Sequence, residues 1–279
     1  MTPQEPCSQF VGVVVKGDEK SIDIARQACG ELRRRGVKAL IAEESRVPPE
    51  TVGADGVFSL KRECPGKIIV VGGDGTLLKT LLTLGSRDPV IMTIGAGRRC
   101  FFFDVEGIEG VSFIKNFLRG DYVVYRYCRL SIELNSKQTA CFLNEAVIAS
   151  SRDGIAELDV RVGYHKLYRI RGDGVIIATT PGSTAYSLSA GGSIVDLLNP
   201  SIIVTPLNPI QLNLRPVILN QLSSVEVVVE GGSSIGLYLD GVRYGRLSRG
   251  DVARVKLCSK PARIARFRWY RFYERVFKR

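Results

Sequence analysis

The sequence predicts an α/β N-terminal domain with an open parallel sheet, plus a mostly antiparallel β-rich C-terminal domain. Three observations lead to this fold class: 279 residues suit two cores, apolar strands first alternate with helical periodicity, and short β-branched strands dominate afterwards. We place the boundary near Asp121, giving an α/β domain over 1–120 and a β-rich domain over 121–255. We expect the basic aromatic segment 256–279 to pack back on the body.

The N-terminal domain alternates buried strands with amphipathic helices. Strands are expected at 10–15, 37–42, 67–71 and 89–97, and helices at 21–36, 76–84 and 110–118. Apolar runs without alternation are typical of parallel strands that are covered on both faces. The turn GGDGT, residues 72–76, follows the third strand at its carboxyl end, where open parallel sheets bind ligands.

The pattern changes after residue 120 to short stretches with a β-branched and aromatic bias. They lie at 122–134, 139–150, 156–170, 174–180, 224–230, 235–241 and 251–258. Turn residues separate them, which favours antiparallel pairing. The single histidine, His165, cannot build a His-based metal site, and we interpret it as an ordinary strand residue.

The formal charge of +11 indicates that anions are favoured near the surface. Nucleic acid and phosphorylated small molecules are both candidate partners. The excess is densest at the C-terminus, where arginines alternate with aromatic residues, a pattern that also binds single-stranded nucleic acid. We favour an amphipathic segment that packs four aromatic side chains against the body, namely Phe267, Trp269, Tyr270 and Phe272.

Targeting and cysteine patterns both favour a cytoplasmic protein. No run of 18 apolar residues occurs, and the N-terminus lacks the charged start and apolar stretch of a secretion signal. The seven cysteines form no C-x-x-C pair and no zinc-like grouping. We therefore expect reduced, mostly buried thiols in the cytoplasm.

In GGDGT, Asp74 lies between glycines where a strand ends and a helix begins. The glycines permit close approach of a ligand, and amides that open the helix present donors to an anion. A carboxylate there would repel phosphate unless it holds a metal ion or accepts a proton from the attacking group. Asp74 is therefore a candidate base or magnesium anchor, and the alternative is a plain Asp-Gly turn.

Asn144 and Glu145 lie inside the apolar stretch FLNEAVIAS. Adjacent strand residues point to opposite faces, so one of the pair is expected to face inward. Burying the amide without a partner costs about 2 to 7 kcal/mol, and burying the charge costs more. The alternative is a strand end where both side chains reach water.

The stretch RGDGVIIATTPGSTAYSLSAGG, residues 171–192, combines a strand with a hydroxyl-rich turn and a predicted helix start. Hydroxyl groups and amides at a helix start bind ribose or phosphate oxygens, and the ring of Tyr186 can stack on a base. Thr184 can equally cap the helix. Asp173 can accept from a diol or amide, or be an ordinary turn residue. Asp240-Gly241, taken alone, indicates a hairpin turn without functional content.

Taken together and in this order, GGDGT, the Asn-Glu strand, GSTAYSLSAGG and the late Asp-Gly resemble the NAD kinase family. The resemblance runs from about Ile69 to Val255. GGDGT alone is shared with diacylglycerol and sphingosine lipid kinases and with phosphofructokinases. GSTAYSLSAGG with Asn144-Glu145 upstream is far more specific.

The resemblance implies transfer of a phosphoryl group from ATP or polyphosphate to the 2′-hydroxyl of the adenosine ribose of NAD, forming NADP. It implies a divalent metal ion, Mg²⁺, and a homodimer or homotetramer without nucleic-acid or membrane partners. By resemblance, Asp74 takes the hydroxyl proton, and Gly73, Gly75 and Thr76 accommodate phosphate. The positions that match NAD contacts are Asn144, Glu145, Asp173, Thr184, Ala185, Tyr186, Ser189 and Asn208.

Some positions depart from the family pattern. TIGAGRRCFFFDV lacks the usual asparagine and carries Arg98 and Arg99, which either bind donor phosphates or form a solvated pair. Asn208 and Ile210 stand where the family commonly has alanine and histidine. These departures concern substrate contacts and donor choice more than the reaction.

Two other functions are open on the residues alone. A lipid kinase would share GGDGT and use the basic aromatic C-terminus to reach a membrane, but it leaves GSTAYSLSAGG without a role. A non-catalytic nucleotide- or nucleic-acid-binding protein would use the positive charge. Assaying NADP formation separates the NAD kinase from the other two functions, and vesicle sedimentation coupled to lipid phosphorylation separates the lipid kinase from the binding protein.

Overall fold

The computed structural model describes residues 10–97, 100–150, 154–269 and 272–277, the side chains at 138 and 139 excepted. Arg98, Arg99 and Tyr270, which carried sequence-based expectations, lie outside the described residues. The chain divides into two compact units: Met1–Arg126 with Ala262–Arg279, and Tyr127–Pro261. Both parts of the predicted fold class, a parallel α/β sheet and antiparallel β-sheets, are confirmed.

The first part of the chain alternates strands and helices. Its elements are β1 Phe10–Val15, α1 Glu19–Arg34, β2 Lys38–Ala42, α2 Pro49–Val52, β3 Gly56–Phe58, β4 Lys67–Gly72, α3 Asp74–Leu84, β5 Val90–Gly95, β6 Val105–Glu106, α4 Gly107–Val111, α5 Ile114–Arg119 and β7 Val123–Tyr127. A 3-10 turn, Glu43–Ser45, follows β2. The helix expected over 110–118 is two short helices, because the helical path breaks at Ser112 and Phe113.

The second unit is built from strands. Its elements are β8 Leu130–Leu134, β9 Lys137–Phe142, β10 Glu145–Ser150, β11 Ala156–Val162, β12 His165–Gly172, β13 Gly174–Thr179, α6 Tyr186–Ser189, β14 Ser201–Leu207, β15 Val217–Asn220, β16 Val225–Gly231, β17 Ile235–Leu239, β18 Val242–Leu247 and β19 Val252–Leu257. A 3-10 turn, Pro181–Thr184, precedes α6, so the expected helix start is a single turn. The chain then adds β20 Ala262–Arg266 and α7 Phe272–Phe277 to the first unit.

The sheet of the first unit has the order β3-β2-β1-β4-β5-β20-β7, with β6 beside β5. The six pairings among β1 to β6 and β20 are parallel. All residues of β4 after Lys67 are buried, as expected for a strand covered on both faces. The strand order reverses between β1 and β4, and such a switch point is where open α/β sheets bind ligands.

The limits of the units differ from those expected from sequence. β7 continues the first sheet beyond Asp121, and residues 262–266 form a strand inside that sheet. The reason is that β20 lies beside β5, with Ile264 and Ala265 fully buried. A five-residue strand with an arginine at two positions resembles a basic tail when only its composition is considered.

The second unit contains two six-stranded sheets. Their orders are β15-β14-β13-β10-β17-β18 and β12-β11-β16-β19-β8-β9, with antiparallel pairing throughout. We call the first of them the β10 sheet, because it carries Asn144 and Glu145 at the start of β10. His165 is an exposed strand residue at the start of β12. In the described part of the chain, no helix is long and apolar enough to cross a membrane.

The expectation of reduced cysteines is wrong for one pair. Cys141 and Cys258 form a disulfide, with Cα atoms 6.1 Å apart, although 117 residues separate them in sequence. Packing of β9 and the end of β19 in one sheet brings them together, and sequence spacing carries no sign of this. Cys29, Cys64, Cys100 and Cys128 are not part of a disulfide.

Candidate active site

Asp74 is the first residue of α3 and lies directly after the carboxyl end of β4. Gly73 is the N-cap residue, and the amide of Thr76 donates to its carbonyl at 2.9 Å. At Gly72 a side chain is excluded, because a Cβ would lie 2.6 Å from Oγ1 of Thr76. The glycine turn thus brings a carboxylate to the edge of the sheet where the helix presents its first amides.

Two backbone amides hold the carboxylate of Asp74. The amide of Phe101 donates to Oδ2 at 2.7 Å, and that of Phe102 donates to Oδ1 at 2.9 Å. Each oxygen therefore has its own donor, which fixes the plane of the carboxylate. Hydrogen bonds to an ionised acceptor are about twice as strong as neutral ones. Asp74 is half-buried, so its carboxylate is both oriented and within reach of water or ligand.

A cavity of about 480 Å³ adjoins this turn in the first unit. Residues that follow β1, β4 and β5 line it, together with one face of α3: among them are Lys16, Gly17, Asp18, Gly72, Gly73, Gly75, Thr76, Lys79, Thr80, Ala96 and Gly97. The expected phosphate-binding residues Gly73, Gly75 and Thr76 all belong to this wall. The cavity opens at the switch point between β1 and β4 and has a volume typical of small-molecule sites.

The charged residues that line the cavity are two lysines, Lys16 and Lys79, and two acidic residues, Asp18 and Glu44. Lys16 follows β1 and forms an ion pair with Asp18 at 3.1 Å, and Lys79 lies in α3. Asp18 also caps α1, since its Oδ1 accepts from the amide of Ser21 at 3.0 Å. Lysine ammonium groups near helix-start amides favour a polyanion such as a phosphate chain.

In the second unit, Asn144 and Glu145 lie where β10 begins, and both are buried. The carbonyl of Asn144 accepts from the amide of Thr179, at the end of β13, at 2.9 Å. Gly182 packs so closely on this carbonyl that a Cβ would lie 2.0 Å from it. The turn after β13 therefore needs glycine in order to reach the Asn-Glu backbone.

Among the described residues, Oδ1 of Asn144 and Oε2 of Glu145 are buried without a hydrogen-bond partner. Side chains of this kind are rare in folded proteins, because an unmade bond costs about 1 to 3 kcal/mol. The expectation that one of the pair faces inward understates the burial, since both side chains are enclosed. Two unsatisfied acceptors side by side indicate a place for a ligand with N–H or O–H donors.

Asp240, which the local sequence assigned only to a hairpin turn without functional content, is a buried part of the candidate site. It forms, with Gly241, the two-residue turn between β17 and β18, and its φ of 47° is in the left-handed region. Its carboxylate is buried and accepts from the amides of Leu143, Asn144 and Glu145, at 2.8, 2.7 and 3.2 Å. Only the ordered set of motifs pointed to this Asp-Gly, because a local hairpin signal says nothing about burial.

Burial shifts the titration of this cluster. It raises the pKa of Glu145 to about 7, with the nearby charge of Asp240 acting in the same direction and the amide of Tyr186 opposing it. Burial also raises the pKa of Asp240, against its three amide donors and the charge of Arg129. The guanidinium of Arg129 is fully buried, which lowers its pKa to about 10. The charges of Arg129 and Asp240 each oppose the effect of burial on the pKa of the other, and the pKa of Glu145 lies close to neutral pH.

The residues of the GSTAYSLS stretch lie at this same end of the β10 sheet. The amide of Tyr186 donates to the carboxylate of Glu145. Because Ala185 and Thr184 directly precede Tyr186 in the chain, they also lie near Glu145. Thr184 is buried and its hydroxyl donates to the carbonyl of Pro181 at 3.2 Å. The ring of Tyr186 is 49% exposed and is therefore available for stacking, and Ser189 is also exposed.

Asp173 and Asn208 lie elsewhere. Nδ2 of Asn208 donates to Oδ2 of Asp173 at 2.7 Å, and both residues are exposed. They adjoin the first residue of β13, whereas Thr179 and the GSTAYSLS stretch follow its last residue. Five residue steps of about 3.3 Å separate these ends by about 17 Å. Within one chain, the predicted NAD contacts therefore form two groups rather than one.

The chain is similar to known proteins along nearly its whole length. A family model for the ATP-NAD kinase C-terminal domain matches residues 143–267. The chain is 39% identical over 276 residues to the NAD kinase of Aeropyrum pernix, covering 98% of each chain. It is 32% identical over 258 residues to the NAD kinase of Thermococcus sibiricus, covering 92% of this chain and 93% of the relative.

Two solved structures share the fold. One is yeast NADH kinase complexed with NADH, with a TM-score of 0.86 at 20% identity, covering 98% of this chain and 87% of that one. The other is an NAD kinase from Archaeoglobus fulgidus in complex with ATP, with a TM-score of 0.72 at 24% identity and 96% coverage of each chain. Identity and coverage to the curated relatives go further than fold, and this chain belongs to the NAD kinase family.

Proposed function

We propose that the chain is an NAD kinase that transfers the terminal phosphoryl group of ATP to the 2′-hydroxyl of the adenosine ribose of NAD, forming NADP. One observation carries the proposal: a carboxylate oriented by two amides, that of Asp74, lies in the glycine turn that lines the cavity. Family membership supplies the substrates. We favour ATP over polyphosphate as donor, because a family structure of the same fold is a complex with ATP.

In this proposal, Asp74 accepts the proton of the ribose hydroxyl as the phosphoryl group is transferred. An aspartate is a weak base, with an ordinary pKa of about 3.9, but the loose transition state of phosphoryl transfer demands little of the nucleophile. A carboxylate offers about four acceptor positions, so two amide bonds are compatible with a third contact to the hydroxyl. Orientation, rather than basicity, is the main contribution of Asp74.

The cavity of the first unit is the proposed site for the donor's phosphates. Gly73, Gly75 and Thr76 provide close backbone approach and helix-start amides, and Lys16 and Lys79 provide positive charge. Both features favour an anion. The net charge of +11 acts in the same direction at longer range.

We propose that a divalent ion, Mg²⁺, enters with the donor. Within residues 10–97, 100–150, 154–269 and 272–277, no three acidic, histidine or cysteine side chains converge as a metal cage. This fits Mg²⁺, which keeps several waters and commonly binds through substrate phosphates with one or two carboxylates. Asp74 lies in the glycine turn that borders the cavity, and Asp18 and Glu44 line the cavity itself, so these three carboxylates are the candidates to bind an ion that would neutralise phosphate charge there.

We propose that NAD binds at the end of the β10 sheet that carries Asn144 and Glu145. Their unsatisfied oxygens would accept from donors of the ligand, and the exposed ring of Tyr186 would stack on a base. Thr184, Ala185 and Ser189 border the same end. Asp173 and Asn208 remain predicted NAD contacts, and their separate location means that they would contact a different bound molecule or a different part of one.

We further propose that the enzyme is a cytoplasmic homo-oligomer. The segment between β14 and β16 exposes four large apolar side chains, a composition that favours contact with another protein surface: Ile210, Leu212, Ile218 and Leu222. Light scattering coupled to size exclusion should show more than one subunit. Replacing Leu212 and Leu222 with glutamate should reduce the measured mass.

The test of the activity couples NADP formation to an NADP-specific dehydrogenase. Purified protein with NAD, Mg²⁺ and ATP should produce NADP in proportion to enzyme concentration. Inorganic polyphosphate replaces ATP in a parallel reaction and should support slower turnover or none. Absence of NADP with both donors would contradict the proposed function.

A further inference from the structure

We propose that the C-terminal residues 266–269 and 272–277, here called the C-terminal clamp, position the carboxylate of Asp74 for the reaction. The clamp acts through the supporting loop, defined as Cys100–Asp104, whose amides hold that carboxylate. This inference rests on the proposed role of Asp74 as proton acceptor. It assigns a function to the arginine-aromatic pattern that charge alone did not explain.

The supporting loop needs external support. It contains no helix or strand, and yet the amides of Phe101 and Phe102 must stay within 2.9 Å of the Asp74 oxygens. Any shift of this loop moves the carboxylate with it, because each oxygen has its own amide donor. All five residues of the loop are buried, so they are held by packing and by their carbonyl contacts.

The polar part of the clamp is a buried ion pair with backbone bonds. Arg266 and Asp104 are 2% and 7% exposed, and Nη1 of Arg266 lies 3.5 Å from Oδ1 of Asp104. The same nitrogen donates to the carbonyl of Phe102 at 2.8 Å. Oδ2 of Asp104 accepts from the amides of Phe267 and Arg268, at 2.6 and 3.1 Å. These bonds join the last residue of β20 and the two residues after it to the supporting loop.

The aromatic part of the clamp comes from α7. The ring of Phe272 meets the ring of Phe101 edge-on, with centroids 5.8 Å apart, and only 8% of each residue is exposed. Nη1 of Arg275, one turn later, donates to the carbonyl of Cys100. Helix α7 thus contacts Phe101 and Cys100, the two residues that precede Phe102.

The sequence of contacts runs from α7 and β20 to the supporting loop, and from its amides to Asp74. A misplacement of a reacting group by about 1 Å can cost about 100-fold in rate. Substrate binding in the cavity uses other groups, those of Lys16, Lys79 and the glycine turn. Loss of the clamp should therefore lower kcat much more than it changes KM.

The experiment compares wild type with the double variant Phe272→Ala/Arg275→Ala in the NADP-coupled assay. The variant should lose about 10- to 100-fold in kcat, with KM for NAD and ATP changed by less than about threefold. Two controls remove an aromatic side chain and an arginine side chain of the same segment that are not among the contacts to the supporting loop described above; the backbone amide of Arg268, which donates to Asp104, is kept by alanine. These are Trp269→Ala, whose ring is 86% exposed, and Arg268→Ala, whose side chain pairs with Glu109, and both should retain wild-type kcat.

A second readout does not depend on activity. Hydrogen exchange of a peptide covering 100–104 should be faster in the double variant than in wild type and in both controls. The conservative variant Phe272→Leu/Arg275→Lys should regain most of the lost kcat. If the double variant does not fold, Arg275→Ala alone must show a loss of kcat together with faster exchange.

The outcomes separate this inference from the proposed function. If wild type forms no NADP, the proposed function fails. If wild type forms NADP and the folded double variant keeps wild-type kcat, or exchange at 100–104 is unchanged, the clamp does not position Asp74. Equal losses in the double variant and both controls would also overturn the inference, because they would indicate a general loss of stability.

Discussion

Asp74 in the first unit and Glu145 in the second are both acidic residues at the end of a sheet, but their surroundings differ. Asp74 is half-buried, and each of its oxygens accepts from an amide. Glu145 is 6% exposed, one of its oxygens lacks a partner among the described residues, and its pKa is raised to about 7. Asp74 is therefore held in one orientation, whereas the pKa of Glu145 lies close to neutral pH.

The two kinds of sheet account for this difference. Parallel strands all end at one edge, so the turn after β4 brings Asp74 to a rim lined by helix-start amides. Antiparallel strands alternate, so β10 begins where β13 and β17 end. Asn144 and Glu145 are therefore enclosed by the turns after those two strands. A carboxylate at the edge of a parallel sheet suits chemistry on a charged group. An enclosed strand end suits recognition of a ligand by unsatisfied polar groups.

The largest effect is expected for Asp74→Asn. If Asp74 is the proton acceptor, kcat should fall by about 100- to 10,000-fold, with NAD affinity nearly unchanged. Single-turnover kinetics and calorimetric NAD binding measure the two quantities. The control Asp23→Asn changes an exposed aspartate on α1 and should be silent. Near-normal turnover in Asp74→Asn would remove it as the base.

Asp240→Asn should have the next largest effect, on stability rather than on a chemical step. Because buried Arg129 loses its counter-charge, the free energy of unfolding should fall by about 3 to 5 kcal/mol. Urea denaturation measures it. Asp251→Asn, in the partly exposed turn before β19, should cost about 1 kcal/mol. Equal costs at both positions would mean that Asp240 is an ordinary turn residue.

Removing the disulfide tests whether the second unit depends on its cross-link. The variant Cys141→Ser/Cys258→Ser should lose about 2 to 4 kcal/mol in the free energy of unfolding, because its unfolded chain is less restricted. Reducing agent should destabilise wild type by a similar amount and leave the variant unchanged. Cys64→Ser, at a cysteine outside the disulfide, provides the control. If reducing agent left the free energy of unfolding of wild type unchanged, that result would contradict the disulfide.

The smallest effect concerns pH. The folded pKa of Glu145, about 7, lies above the ordinary glutamate value of 4.5, so the folded state binds more protons than the unfolded state between these values. Stability should therefore fall as pH rises from about 4.5 to about 7, by at most about 3 kcal/mol. Glu145→Gln should lose this part of the pH dependence in thermal unfolding, whereas Glu230→Gln should keep it. An unchanged pH profile in Glu145→Gln would refute the raised pKa.

Local sequence predicted much of the first unit. The apolar runs, the helix after Gly73 and the position of Asp74 at the end of β4 all follow from patterns within about ten residues. The amides that orient Asp74 come from Phe101 and Phe102, more than 20 residues later, in a loop without periodicity. No local propensity specifies such a contact.

The C-terminus also shows that a local sequence pattern does not specify contacts with distant residues. Its aromatic pattern predicts packing against the body, and Phe267 and Phe272 do pack, against Phe113 and Phe101 respectively. Trp269 is instead 86% exposed. The pattern could not identify β20. Its pairing with β5 depends on a sheet formed by residues far away in the sequence, which the composition of a basic strand does not show.

Spacing along the chain is enough to predict the alternation of strands and helices, the glycine turn with its aspartate, and the ordered motifs of the NAD kinase family. Local backbone preferences and turn chemistry depend directly on that spacing. The folded chain was needed to show that Asp240 holds the Asn144-Glu145 backbone, that Cys141 meets Cys258, and that the C-terminal clamp contacts the loop that holds Asp74. These contacts join residues about 100 or more positions apart, and the packing of whole sheets selects them.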